Sequence, residues 1–169
     1  MIRLAEEVDA KTIINIRKEI ILSEKTTKFF VSSANEIPKN INKEKEKIRK
    51  SAEEGNLYIV YEIESIVVGF LVFNRYQHQR LNHTGSIGMG ITDEYTNQGI
   101  GTKLIEFFLN WAKKQGELEK ICLGVTSVNE RAIKVYRRMG FVEEGRQRNQ
   151  IKYEDGSYAD DILMAYYLN

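Results

Sequence analysis

The chain has 169 residues, of which 42% are hydrophobic and 29% charged, and its 25 basic and 24 acidic residues leave a net charge of +1. This balance is typical of a folded globular protein and gives no reason to expect a nucleic-acid or membrane partner. The N-terminus lacks the apolar run of a signal peptide, no later run could span a bilayer, and the single Cys122 excludes an internal disulfide. We therefore expect one cytoplasmic domain over residues 1–169.

Hydrophobic spacing predicts a strand, two helices and a β-hairpin in the first half of the chain. Asp9 is a candidate N-cap for the first helix, and Glu64-Ser65 is a candidate hairpin turn. The second helix is rich in Lys and Glu, so we expect it to be largely solvated. These elements are expected at 2–4, 10–22, 40–54, 57–63 and 66–76.

Strands and helices alternate in the second half. The helix beginning at Ile100 has an apolar face that is expected to include Phe107 and Trp111. The run Ile121–Val125 has no alternation, which predicts a strand buried on both faces and makes Cys122 a buried, inert thiol. A turn at Asp155-Gly156 precedes the last strand. The expected elements are 85–91, 100–115, 121–125, 130–139, an extended segment from 141, and 162–168.

This order predicts an α/β or α+β domain whose mixed sheet carries helices on both faces. The helix over 100–115 is expected to connect two parallel neighbouring strands.

A polar glycine loop, Thr96-Asn97-Gln98-Gly99-Ile100-Gly101, lies between a strand and this helix. The first N–H groups of a helix lack intrahelical partners, so the loop is a candidate site for a phosphate or pyrophosphate. It is not a Walker loop, and Leu104 stands where a dinucleotide fingerprint needs its third glycine. From the loop alone, an anion site and a plain tight turn remain equal alternatives.

A second sequence motif, at 129–141, favours the anion site over the plain tight turn. Asn129-Glu130-Arg131-Ala132-Ile133-Lys134-Val135-Tyr136-Arg137-Arg138-Met139-Gly140-Phe141 contains the pattern Asn-x-x-Ala-x-x-x-Tyr-x-x-x-Gly-Phe. Together with the glycine loop at 96–101, this block resembles the GCN5-related N-acetyltransferase (GNAT) superfamily. The C-terminal run resembles the branch with amino-acid and phosphinothricin-type enzymes, and ribosomal-protein-type enzymes are similar too.

The resemblance implies a central sheet of about six to seven strands, with acetyl-CoA bound where two parallel strands splay apart. It implies no metal. It makes Tyr136 the general acid that protonates the departing thiolate, against the alternative of a core aromatic. It makes Asn129 either a ligand of the pantetheine arm or the N-cap of its own helix. The remaining implied contacts are Met89, Gly90 and Ile91 for pantetheine, and Asn97, Gln98, Gly99, Ile100, Gly101 and Thr102 for the pyrophosphate.

The implied reaction is direct acetyl transfer to a primary amine of a small molecule or of a peptide or protein N-terminus. The sequence departs from the family pattern at Thr96, which replaces Arg or Gln, and at Gly124, where many relatives carry a glutamate base. The base is therefore unassigned. His83 is the first candidate because imidazole titrates near neutrality, and Asp160 and Asp161 either bind the amine or edge a strand.

Other functions remain open at this point. One rival is an acyltransferase for a longer acyl-CoA, and another is a CoA-binding sensor or interaction module without turnover. The acceptor site is expected to involve residues 23–40, the loop from His78 to His83 and the final hairpin. A homodimer is expected by family analogy.

Overall fold

The computed structural model describes residues 1–168, which form seven strands and four α-helices with short 3₁₀ helices between them. Most predicted elements are confirmed with bounds shifted by a few residues. The elements are β1 (Ile2–Leu4), α1 (Ala10–Leu22), α2 (Ile41–Lys50), β2 (Leu57–Ile63), β3 (Ile66–Arg75), β4 (Thr84–Ile91), α3 (Ile100–Ala112), β5 (Lys120–Thr126), α4 (Glu130–Arg138), β6 (Val142–Lys152) and β7 (Tyr158–Tyr167).

The strands form one mixed sheet in the order β1-β2-β3-β4-β5-β7-β6. All neighbouring strands are antiparallel except β4 and β5, which are parallel and are connected through α3. Glu64 and Ser65, both at positive φ, turn the chain from β2 into β3 as predicted. The sheet confirms the predicted mixed architecture and its single parallel crossover.

Helices cover both faces of the sheet, as predicted. On one face α1 packs Ile13, Ile16 and Ile20 in a cluster with Tyr58 and Phe70. On the other face α3 and α4 pack against a larger cluster. The fully buried members of that second cluster include Ile59, Leu71, Phe73, Leu104, Ile105, Phe108 and Ile121.

The predicted face of α3 is wrong at Phe107, whose surface is 39% exposed. The buried face instead uses Ile105, Leu109 and Ala112 beside Phe108. Successive residues of a helix differ by about 100° in direction, and Phe107 lies on the side of Phe108 away from Leu109, so it falls outside this buried face. Trp111 is half-buried at the border and contacts Phe73 and Phe108.

The prediction that β5 is buried on both faces is also wrong. Ile121, Leu123 and Val125 are buried, whereas Cys122 is half-buried and Gly124 is exposed. The strand therefore alternates as far as Val125. Its second face is covered only in part, with Thr126 buried and the short helix Thr27–Phe29 in contact with the strand. Burial raises the pKa of the Cys122 thiol, which keeps it protonated and unreactive.

Asp9 occupies the predicted N-cap position of α1 without capping it. Its buried carboxylate instead accepts from the Arg3 guanidinium at 2.8 Å and from the Glu6 N–H at 2.8 Å. The contact ties the first strand to the start of α1. Over residues 1–168, no helix is long and apolar enough to cross a membrane.

Candidate active site

The sheet opens between its two parallel strands. β4 and β5 pair only at Thr84↔Lys120, Gly85↔Ile121 and Ser86↔Cys122. Beyond these pairs β4 stays bonded to β3 as far as Ile91, while β5 stays bonded to β7 as far as Thr126. The two strands therefore splay apart, as the resemblance implied, and a wedge-shaped gap divides the sheet.

Backbone amides line both sides of this gap. In an antiparallel pair, the N–H and C=O of one residue point to the same side. The Thr92 N–H donates to the Val68 carbonyl at 2.9 Å, and the Thr84 carbonyl accepts from the Tyr76 N–H at 3.1 Å, so the even-numbered residues of β4 face β3. Met89 and Ile91 therefore turn their N–H and C=O groups into the gap. Gly90, the other residue expected to donate there, bonds towards β3.

The glycine loop lies at one end of the gap. Asn97 and Gly99 both adopt left-handed φ, at 66° and 77°, which turns the chain into the start of α3. The first bond of the helix runs from the Lys103 N–H to the Gly99 carbonyl at 3.1 Å. No carbonyl within residues 1–168 accepts from the N–H groups of residues 97–102. These donors, at the positive end of the helix dipole, suit a phosphate or pyrophosphate.

A cavity of about 410 Å³ joins the loop to the gap. Its walls come from both faces of the sheet, from α1 and the following segment on one side and from α3 and α4 on the other. Of the residues expected to bind, it brings together Met89, Gly90, Ile91, Asn97, Gly99, Ile100, Gly101, Thr102, Asn129 and Tyr136.

Tyr136 is half-buried on α4, with its ring 5.6 Å from that of Phe141 in an edge-to-face arrangement. Tyr136 thus packs as an aromatic side chain and also lines the cavity, which is compatible with both roles considered for it, core aromatic and general acid. Burial raises the pKa of Tyr136 to about 12. The phenol therefore remains protonated throughout the neutral range and can donate a proton.

Asn129 caps α4 and also lines the cavity. Its Oδ1 accepts from the Ala132 N–H at 3.3 Å. No hydrogen bond from the Asn129 Nδ2 is made to any part of residues 1–168, so this amide can still donate to a ligand in the cavity. The cap orients the side chain for that contact.

Four residues considered for the site from the sequence do not line the cavity, namely His83, Gln98, Asp160 and Asp161. Gln98 is exposed, and its Nε2 donates to the Glu94 carbonyl at 3.1 Å. His83 precedes β4, whereas Gly90 lies near its other end, roughly 23 Å away at strand spacing. His83 is therefore wrongly placed to act as a base in this cavity. The loop from His78 to His83 is likewise remote from it.

Part of the cavity wall comes from the segment 23–40, which was expected near the acceptor site without any of its residues being assigned. Phe29 and Phe30 enter from the segment after α1, and Lys25 lies near them. Arg131 adds a cation from the first turn of α4. The paired phenylalanines in an otherwise polar segment were the signal that could have identified this wall.

The final hairpin, which was also expected near the acceptor, contacts the same segment. The Tyr153 hydroxyl donates to the Lys28 carbonyl at 2.6 Å, and the Lys28 ammonium pairs with Asp155 at 3.2 Å. A second cavity of about 330 Å³ lies between the two, and it shares Phe30 with the first.

Comparisons with known proteins agree with this geometry. The family model described as "Acetyltransferase (GNAT) family" matches residues 21–141. Among proteins of assigned activity, the chain is 29% identical over 103 residues to the L-amino acid N-acetyltransferase AaaT of Escherichia coli K12. That match covers 61% of this chain and 63% of AaaT, so it spans less than two thirds of the relative.

Solved structures share the whole fold. The acetyltransferase of GNAT family from Streptococcus pneumoniae superposes with a TM-score of 0.90 at 25% identity, covering 99% of this chain and 98% of that one. The yncA protein of Salmonella typhimurium, solved with its cofactor acetyl-CoA, superposes with a TM-score of 0.87 at 17% identity, covering 100% and 94%.

Proposed function

We propose, from the premise that this chain belongs to the acetyltransferase (GNAT) family, that it transfers the acetyl group of acetyl-CoA directly to a primary amine. The acceptor is a small molecule or a peptide or protein N-terminus. The observation that carries the proposal is the opening between β4 and β5, with free amides along its edge and Tyr136 in its wall. A cytoplasmic location and a homodimer stay predictions.

The residues present fit acetyl-CoA. Its pyrophosphate needs several donors at one place, and the N–H groups of residues 97–102 supply them. A Cβ added to Gly101 would lie 3.3 Å from the Met89 Cε, so glycine there keeps the helix start close to β4. The amides of the pantetheine arm match the N–H and C=O groups of Met89 and the C=O group of Ile91. Arg131 adds a positive charge at the cavity wall.

Acetyl-CoA supplies an acetyl group activated as a thioester. The amine nitrogen forms a bond to the carbonyl carbon, and the carbon–sulfur bond breaks. The Tyr136 hydroxyl gives its proton to the departing sulfur and is reprotonated from solvent. The Ile91 N–H faces the gap and is a suitable donor to the carbonyl oxygen as negative charge develops on it.

An assay of free thiol release tests the proposal. The protein is mixed with acetyl-CoA and a panel of L-amino acids, N-terminal peptides and polyamines, and release is compared with a reaction lacking amine. We expect amine-dependent release with at least one class, and the activity of AaaT makes amino acids the first choice. Propionyl-CoA and octanoyl-CoA in parallel reactions test the rival with a longer acyl chain.

The non-catalytic alternative predicts a different result. Calorimetry would then show tight binding of acetyl-CoA while no amine released thiol above the control. That combination would refute the enzymatic proposal and leave a CoA-binding module.

A further inference from the structure

A carboxylate from the neighbouring strand lies beside Gly124, where a side chain at that position would extend. A Cβ built on Gly124 would lie 3.1 Å from Oδ1 of Asp161 and 3.5 Å from its Oδ2. Asp161 is on β7, where it pairs with Thr126 of β5. The carboxylate thus occupies the volume into which a longer side chain at position 124 would extend.

A buried hydroxyl beside this carboxylate has no partner. Thr126 is only 3% exposed, and its Oγ1 makes no hydrogen bond to residues 1–168. Leaving a buried hydroxyl unsatisfied costs about 1–3 kcal/mol, so an orphan of this kind calls for a ligand. Gly124 and Thr126 are two residues apart and therefore lie on the same face of β5, and Asp161 is directly opposite Thr126. All three therefore face the same way.

This face of the gap is the one that α1 and the segment after it cover. A Cβ on Gly90 would meet Ile20 of α1, so Gly90 presents the same face. Gly90 and Thr126 each lie four residues beyond the parallel pair Ser86↔Cys122, so they face each other across the opening. The helix Thr27–Phe29 contacts β5, and Phe29 lines the main cavity. Tyr136 belongs to the opposite face, packed against the α3 side.

No other charge neutralises Asp161 within residues 1–168. Its cross-strand neighbours, Thr126 and Gln147, are uncharged. The adjoining Arg146 is paired with Asp160, and Lys28 on the facing segment is paired with Asp155. Burial raises the pKa of Asp161, which is what an unpaired carboxylate in a half-buried position should show.

We infer that Asp161 binds the acceptor's ammonium group and takes its proton, replacing a base on β5, with the Thr126 hydroxyl accepting a second N–H. The inference rests on the proposed acetyl transfer. One ammonium proton passes to Asp161 and on to water. A second leaves the nitrogen as the nitrogen–carbon bond forms and, through solvent, restores Tyr136, whose own proton has gone to the CoA sulfur.

The kinetic test compares Asp161→Asn with Asp160→Asn in the amine-dependent thiol assay. A positioned base contributes about 100- to 10,000-fold, so Asp161→Asn should lose at least about 100-fold in kcat/KM. In the pH profile of kcat/KM for this variant, the acid limb should move up towards the pKa of the amine. The melting temperature of the variant should not fall, because this carboxylate has no partner to lose. Asp160→Asn should lower the melting temperature, since Asp160 accepts from Arg146 and the Asn149 N–H, and should leave the acid limb in place.

A rescue variant separates a base from a structural role. In Asp161→Ala, adding Gly124→Glu returns a carboxylate to the same space from β5, and we expect at least about a tenfold recovery of the lost rate. Wild-type kinetics in Asp161→Asn, or no recovery in the double variant, would overturn the inference while leaving acetyl transfer intact.

A binding measurement tests Asp161 independently of turnover. CoA-loaded protein is titrated with butylammonium chloride while the carboxyl signal of Asp161 and the methyl signal of Thr126 are followed by NMR. Saturable shifts of both are expected, with the Thr126 shift lost in Asp161→Asn. Absence of these shifts would overturn the inference, whereas shifts without thiol release from any amine would refute only the catalytic function.

Discussion

Gly85 lies where β4 and β5 are still paired, and it tests how tightly that junction is built. A Cβ added there would lie 2.5 Å from Cζ of the Phe73 ring and 2.6 Å from the Asn74 carbonyl oxygen. Neither can retreat easily, because Phe73 is fully buried against Phe108 and Trp111, and the carbonyl is backbone. Gly85→Ala must therefore move a strand or displace an aromatic cluster.

The expected loss follows from the size of that clash. Overpacking a well-packed core costs about 1–3 kcal/mol, and a backbone contact places this substitution at about 3 kcal/mol. For a chain of this length, about 2–4 °C of melting temperature accompanies each kcal/mol, so the expected decrease is about 6–12 °C.

Gly88 offers a matched control on the same strand. A Cβ there would meet only Val72 Cγ1 at 3.9 Å. Gly88→Ala should leave stability unchanged or raise it by up to about 1 kcal/mol, because the unfolded chain loses freedom. Thermal unfolding followed by circular dichroism measures both variants. Equal melting temperatures would refute the claim that close approach at Gly85 holds the junction of β4 and β5.

Two further predictions concern the Tyr136 hydroxyl and the ion pair between Arg3 and Asp9. Tyr136→Phe keeps the packing against Phe141 but removes the acid, so kcat should fall by about 100-fold or more with little change in the affinity for acetyl-CoA. Unchanged kcat would remove Tyr136 from this role. Burial tends to raise the pKa of Asp9, but hydrogen bonds from Arg3 and the Glu6 N–H outweigh it and hold the pKa below its usual value. The folded-state pKa is depressed, so the pair stabilises above the unfolded pKa of about 4 and this stabilisation is lost as the pH falls through the folded value. Arg3→Met removes the hydrogen-bond donor to both Asp9 and Glu62, so it should cost about 1–3 kcal/mol at pH 7 and less at pH 3. A destabilisation that is as large at pH 3 as at pH 7, measured by urea unfolding, would contradict this assignment.

Local rules were sufficient for the parts of the fold that depend on neighbours in sequence. The turn at Glu64-Ser65 follows from hairpin preferences, and the helix beginning at Ile100 follows from the spacing of its apolar residues after the glycine loop. Phe107 was misassigned because several apolar residues share that stretch, and only the sheet beneath α3 decides which of them are covered.

The site was less predictable because its residues meet across the fold. The loop at 96–101 could be recognised as a donor site from its own glycines. Phe29 and Phe30 could not be assigned, since their segment has no period and its position depends on α1 and the final hairpin. His83 was chosen for its chemistry alone, and the length of β4 separates it from the cavity. The relation between Gly124 and Asp161 depends on the pairing of β5 with β7, which no local pattern reveals.

The opening between β4 and β5 gives this protein a sheet edge in its interior. Outer strands with unpaired amides are hazards, because the strands of other chains can add to them. Here the unpaired half of β4 lies in a cavity walled by α3, α4 and the segment after α1, and not at an outer edge of the sheet. A slender ligand that carries amides of its own can enter lengthwise and complete the missing hydrogen bonds. The fold thus uses incomplete strand pairing as a means of selecting its ligand.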